Sequence, residues 1–183
     1  MKFLWKIFDI KEGEGKPLFI LFIHFFCFSA TGITAGSARD AFFLSLFEKT
    51  YLPLMFVAIA IIMAGVIPLY TKLTRGKDLS SVIIFSAIIF GSSLIPLSFI
   101  LKGWIIPILY IWVEIIIVLS IAQFWMLAGD VFDPRQAKRL FGLISGSGAI
   151  ASMVIGSSIR PFVHTFGSDK LLFATTFFIS ITA

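Results

Sequence analysis

The chain has 183 residues, 58% of them hydrophobic and 14% charged, with a net charge of +5 and a mean hydropathy of +1.02. Soluble domains run about 45–50% apolar and about 25% charged, and a water-facing fold of this size cannot hide 22 phenylalanines. A soluble domain is excluded, and with one cysteine, Cys27, so is a disulfide or cysteine–metal framework.

Residues 1–16, MKFLWKIFDIKEGEGK, are a short amphipathic piece followed by a charged linker. A cleaved signal would leave a soluble remainder, whereas this chain stays apolar to its end, so the segment reads as a retained cytoplasmic lead-in to a bundle over 17–183. Span one begins at Pro17, which suits a first helical turn, and ends at Arg39-Asp40, after which AFFLSLF continues the helix or turns along the interface. Span two covers Tyr51–Leu73, with a kink expected at Pro68. TRGKDL links it to span three, Ser80–Leu101, and KGW turns into span four, Ile105–Leu127. Span five runs from Pro134 to Arg160-Pro161. The last apolar run, LLFATTFFISITA, is shorter than the roughly 20 residues that cross a bilayer. The expected fold class is all-α, a polytopic helical membrane protein with about six spans, the last incomplete. A chain of that kind reads as the N-terminal part of a longer protein, inactive alone.

Lysine and arginine counts in short loops set orientation. Lys2, Lys6, Lys11, Lys16, Lys72, Arg75, Lys77, Arg135, Lys138 and Arg139 fall on one side. Only Arg39, Lys49, Lys102, Arg160 and Lys170 fall on the other. The distribution predicts a cytoplasmic N-terminus, and it assigns the basic excess to loops rather than to a nucleic-acid partner.

Asp133-Pro134 with Gln136 is a helix start. The aspartate caps, proline fits the first turn, and glutamine three residues past the cap completes a capping box. Arg135, Lys138 and Arg139 share a face of that helix and oppose its dipole, so helix stability does not explain them. Two readings stand: topogenic charge beside anionic lipid, or a cytoplasmic gate in which Asp130 or Asp133 exchanges salt bridges with these bases. Downstream, GSGAIA matches a dinucleotide-loop string, but no strand precedes it and it lies inside a membrane-length run. Gly142/Gly146 and Ser152/Gly156 read instead as a small-residue seam for close helix packing.

Glu114 lies well inside span four, where a charge requires a partner or a wet cavity. It reads as a substrate, coupling or proton site, against a neutral glutamate linking helices. Trp125 shares its helical face and Gln123 points almost opposite. In span one His24, Thr31 and Ala35 form a partly polar stripe, with His24 either packed or proton-carrying. Adjacent Arg39 and Asp40 do not share a face, so each is expected to contact a different neighbouring helix. No ligand set for a metal and no nucleophile–base pair appears, so no cofactor and no enzymatic activity are expected.

The stretch SIAQFWMLAGDVFDPRQAKRLFGLISGSGAIA resembles the nucleotide exchange transporters of obligate intracellular bacteria and plastids, which are relatives of the major facilitator superfamily. The shared pattern falls on Gln123, Phe124, Trp125, Gly129–Asp133, Arg135–Arg139, Gly142, Gly146 and Gly148. RDAFFLSLFEKTYLP, from Arg39 to Leu44 with the later Leu-Pro, is similar to a second family segment. The resemblance implies a facilitator-like N-terminal half, alternating access, and ATP/ADP-type exchange. A bacterial inner-membrane location and a missing C-terminal half as partner follow from the same resemblance, with membrane lipid and a nucleotide or other small organic anion as the remaining partners. It carries a substrate or coupling role over to Glu114; Arg39 and Asp40, in the family-like segment, and His24, from its place in span one, are the further substrate-binding or coupling candidates. Departures are the absence of a lysine deep in any span and a loop motif between spans two and three reduced to Arg75-Gly76-Lys77. Phosphate binding in this half would fall to Arg39, Arg160 or the cytoplasmic bases. A facilitator-like carrier of another organic solute and a non-transport membrane module are the alternatives.

Overall fold

The computed structural model describes residues 10–99, 103–168 and 170–182. These form helices α1 (Gly15–Leu46), α2 (Leu52–Thr74), α3 (Leu79–Phe99), α4 (Ile105–Val131), α5 (Pro134–Phe166) and α6 (Lys170–Thr182), with a 3₁₀ turn at Lys49–Tyr51 ahead of α2. In lipid every backbone N–H and C=O must be satisfied within its own segment, and long apolar runs meet that requirement as helices. Five of the six are long and apolar enough to cross a membrane, while the 13-residue α6 is shorter. The chain is thus an all-α protein built as a multi-pass membrane protein.

Turn chemistry sets several helix ends. Arg75 closes α2, and Gly76 at φ +76° turns the chain, a conformation open to glycine because it lacks a Cβ. Asp78 then accepts the Ser81 N–H at 2.9 Å to start α3. The expected capping box at α5 is present: Gln136 accepts the Asp133 N–H at 3.0 Å.

Of the two expected courses after Arg39-Asp40, the helix continues: α1 runs on to Leu46, a 32-residue helix, because AFFLSL supplies another apolar turn and a half with no breaker. Two boundaries differ from the sequence expectation. α4 continues to Val131, so Asp130 sits in its last turn rather than in a link. α5 passes through Pro161 to Phe166. Proline inside a membrane helix is tolerated; its missing N–H leaves the carbonyl four residues back, that of Ser157, without its usual helical partner.

α1 is the central element, packed against α4, α5 and α6; α3 lies against α6 and α4, and α2 lies on α4. One apolar core joins Phe43, Leu94, Leu109, Val113, Ile116 and Leu172. A second joins Leu21, Phe25, Phe124, Leu140 and Ile144 nearer the α1–α5 starts. Phe19, Ile61, Phe85 and Met153 are more than half exposed on the bundle surface, as side chains facing lipid are. α2 is the least buried of the long helices.

Close approach between α1 and α5 occurs at Gly148. A Cβ there would lie 2.8 Å from Phe25 Cε1 and 3.0 Å from Ser29 Oγ. The seam expected at Gly142, Gly146, Ser152 and Gly156 is not the contact within this chain. No described atom lies within 4 Å of a Cβ built at any of those glycines, and the exposed Ser152 hydroxyl turns back to the Gly148 carbonyl. Spacing alone shows which small residues share a face, not which face meets the neighbour.

Candidate functional site

Arg39 of α1 is held from three directions. Its Nε donates to Asp40 Oδ1 at 2.9 Å and its Nη1 to Glu114 Oε2 of α4, while its guanidinium carbon lies 4.3 Å from the Tyr110 ring centroid. Two carboxylates and an aromatic face around one guanidinium match its planar donor geometry. The Arg39 side chain is 13% exposed, Glu114 28% and Asp40 49%, so the site is apolar on its Tyr110 side and open beside Asp40. The structure thus brings Glu114, Arg39 and Asp40 together. The expectation that Arg39 and Asp40 would each reach a different helix is corrected for this pair: the arginine is long enough to fold back onto the next residue while its far nitrogens cross to α4. Around the cluster, Phe43 packs against Tyr110 at 5.0 Å between centroids with the rings tilted by 60°, and Val113, Leu109 and Ile116 are fully buried. A charge pair in such surroundings is worth most when both partners stay paired.

His24 is not part of that cluster. It lies 15 residues earlier on α1, roughly 22 Å along the helix axis, with its ring 5.5 Å from Phe124. There it lines a small chamber of ≈ 30 Å³ together with Thr31, Ser86, Ser120, Gln123 and Thr182. Gln123, 4% exposed, donates to the Tyr70 hydroxyl and to Ser86 Oγ, both at 2.8 Å, and so ties α4 to α2 and α3. Nine residues separate Glu114 from Gln123, which turns them to opposite sides of α4, one toward α1 and the other toward α2 and α3. The polar-at-depth argument that singled out Glu114 applies equally to Gln123, whose role the sequence reading passed over.

The bases at the α5 start are arranged differently from a gate with Asp130 or Asp133. Arg139 pairs with Glu14, its Nη2 2.6 Å from each carboxylate oxygen. Glu14 also accepts from the Lys11 N–H at 2.9 Å and the Gln136 amide at 3.0 Å. The backbone N–H of Lys11 foremost, then Gln136 and Arg139, outweigh burial and hold the Glu14 carboxyl below its ordinary pKa of 4.5. Gln136 therefore serves twice, accepting at the α5 cap and donating to the α1 start. Asp133 is occupied as that cap, and Asp130, Arg135 and Lys138 are exposed, with no ion pair to any described residue. Asp130 and Asp133 carry no base here because Glu14, 6% exposed, offers Arg139 a drier and better-bonded carboxylate.

The Glu14–Arg139 contact puts the starts of α1 and α5 at one end of the bundle. With short links between successive helices, that end also holds Lys72, Arg75, Lys77, Arg135 and Lys138. Among the described residues, no group of three or more His, Cys, Asp and Glu side chains is placed to hold a metal ion. Comparison with protein-family models, curated proteins and solved structures gave no match.

Proposed function

We propose that this chain is half of a secondary transporter working by alternating access, with Arg39, Glu114 and Asp40 as its substrate or coupling site. The observation that carries the reading is the guanidinium–carboxylate pair joining α1 to α4 within long apolar helices. Charge at such a position has a cost that functional sites tolerate and simple packing avoids. Arg39 is the group suited to phosphate, since its fork of donors fits a phosphoryl oxygen pair. Glu114 is the counter-ion that a bound anion displaces.

The substrate proposed is a nucleotide, exchanged in the manner of ATP for ADP. Support comes from the QFWMLAGDVFDPRQAKR segment and from RDAFFL, whose arginine and aspartate are the residues at the site. A second half of the same polypeptide completes the pathway, and the basic end faces the cytoplasm of a bacterial cell, in its inner membrane. Asp130, Asp133, Arg135, Lys138 and Arg139 then line the inner mouth, Arg139 through its latch to Glu14. No enzymatic step is assigned to any of these groups.

One observation favours a second reading. Two carboxylates around a single guanidinium leave the cluster negative, which suits a coupling cation or proton better than a polyphosphate. A proton-coupled carrier of another organic solute follows from that imbalance. Counterflow in vesicles preloaded with ADP, using the complete polypeptide, separates the two. Nucleotide exchange predicts uptake of labelled ATP that requires internal nucleotide. Uptake that ignores internal ADP and follows an imposed pH gradient would replace the first reading with the second.

A further inference from the structure

We propose that the chamber at His24 is a hydrated proton-binding site, separate from the Arg39 cluster and reached from the basic end of the bundle through Tyr70, Gln123 and Ser86. The chamber lies among α1, α3, α4 and α6, and its ≈ 30 Å³ is room for roughly two water molecules at about 10–15 Å³ of probe-occupied space each. A water needs two to four polar partners. The walls offer the His24 ring, the Ser86 and Ser120 hydroxyls and the Gln123 amide, with Thr31 and Thr182 beside them.

Hydrogen bonding within the walls leaves capacity facing the chamber. Thr31 already donates to the Cys27 carbonyl at 3.0 Å. Ser86 and Gln123 bond each other at 2.8 Å and 3.0 Å, and each oxygen keeps a second lone pair. The His24 ring nitrogens have no hydrogen-bond partner among the described residues. A neutral imidazole presents one donor and one acceptor, and water in the chamber satisfies both.

Access comes along the polar edge of the neighbouring groove of ≈ 670 Å³ between α2 and α3, whose remaining lining, Leu73, Phe85 and Ile89 among it, is apolar and exposed on the lipid-facing surface. It is lined at the basic end by Lys77, Thr74 and Ser81, and it shares Ser86 with the chamber. Tyr70 lines the groove and its hydroxyl accepts from Gln123 at 2.8 Å. Polar groups therefore run from the Lys77 end of the groove, through Tyr70 and Gln123, to the chamber wall. A proton arriving as hydrated acid adds to the free ring nitrogen of His24 and leaves water behind, with no other bond made or broken. No charged side chain of α3, α4 or α6 lines the chamber among the described residues. The titratable group on the hydrogen-bonded chain is the Tyr70 phenol, and Lys77 stands at the groove mouth. The positive charge on a protonated His24 is thus carried by water, hydroxyl and amide dipoles alone.

The chain has only two histidines, His24 and His164, so the site can be read directly. The 183-residue protein is labelled with ¹³C,¹⁵N-histidine in lipid nanodiscs, and His164→Gln assigns the remaining imidazole. The expected result is a His24 ring signal that titrates between about pH 4 and 8 with cross-peaks to water. Gln123→Leu and the milder Ser86→Ala should each lower the midpoint, since both remove dipoles that support the imidazolium, while helical circular dichroism stays at the wild-type level. Ser86→Ala keeps the test valid if Gln123→Leu fails to fold. A His24 signal flat across that range in folded protein, or one with no water contact, overturns the proposal. A midpoint indifferent to both substitutions also overturns it, because the Gln123 and Ser86 dipoles would then not support the imidazolium.

Discussion

Gly148 is the position at which one methyl group tests the helix packing directly. In Gly148→Ala the new Cβ meets Phe25 Cε1 at 2.8 Å, Ser29 Oγ at 3.0 Å and Phe25 Cδ1 at 3.4 Å. Ser29 can rotate away, but the Phe25 ring is wedged against Phe124 at 4.6 Å, Trp125 at 5.5 Å and Phe28 at 5.9 Å between centroids. Forcing an extra methyl into such a core costs about 1–3 kcal/mol, offset by about 1 kcal/mol because alanine favours the helix over glycine. Gly146→Ala carries the same helix term and meets no atom within 4 Å. The propensity term cancels between the two variants, so Gly148→Ala should be less stable than Gly146→Ala by the full packing cost, about 1–3 kcal/mol. Equilibrium unfolding in mixed micelles at increasing SDS fraction measures that difference. Phe25→Leu in the Gly148→Ala background should recover part of it. Equal stability of the two alanine variants would refute the α1–α5 contact.

The Glu14–Arg139 latch sets a pH response at the same end of the bundle. Because the folded Glu14 carboxyl sits below its ordinary pKa of 4.5, its contribution is present above the unfolded value and is lost as pH falls through the lower folded one. Stability from this group should therefore be flat from pH 7 to about 5 and decline only at more acid pH, and Glu14→Gln should remove that acid-side decline. A wild-type loss centred above pH 5 would contradict the arrangement. Orientation is testable with single cysteines at Lys77 and Lys138, both exposed, in a Cys27→Ser background. Both should be protected from an impermeant thiol reagent added outside intact cells and labelled when the membrane is opened, whereas outside labelling of either reverses the assignment.

The helices were legible because lipid imposes one rule on every apolar run: satisfy the backbone internally and reach across about 30 Å. The Asp133–Gln136 cap was legible for the same reason of locality, since its partners lie three residues apart. Glu114 stood out as a lone carboxylate in an apolar helix, and its partner Arg39 was also in view, though as the end of a span rather than an interior residue. What could not be read were partners set by packing. Glu14 sits in a linker of alternating charges, and nothing local separates it from Glu12 as the residue that meets Arg139, 125 positions away. Gly142/Gly146 and Gly148/Ser152 are both small-residue pairs at i, i+4 on different faces of α5, and only the roll of α5 on α1 selects Gly148. Gln123 resembles any helical glutamine until Tyr70 and Ser86 from two other helices close on its amide.

The central claim is that the Arg39–Glu114 pair belongs to the transport cycle, and Glu114→Gln in the complete polypeptide tests it. Glutamine keeps the shape and hydrogen-bonding reach of glutamate and removes only the ionisable group. A hydrogen bond to a charged group contributes about 1.5–3 kcal/mol, which at 1.4 kcal/mol per tenfold corresponds to a change of roughly 10- to 100-fold. Uptake per correctly inserted molecule, measured across pH beside wild type, should fall by about that factor or shift its pH profile, with insertion preserved. Matching rates and matching pH profiles would contradict the account and leave Glu114 as a neutral link between two helices.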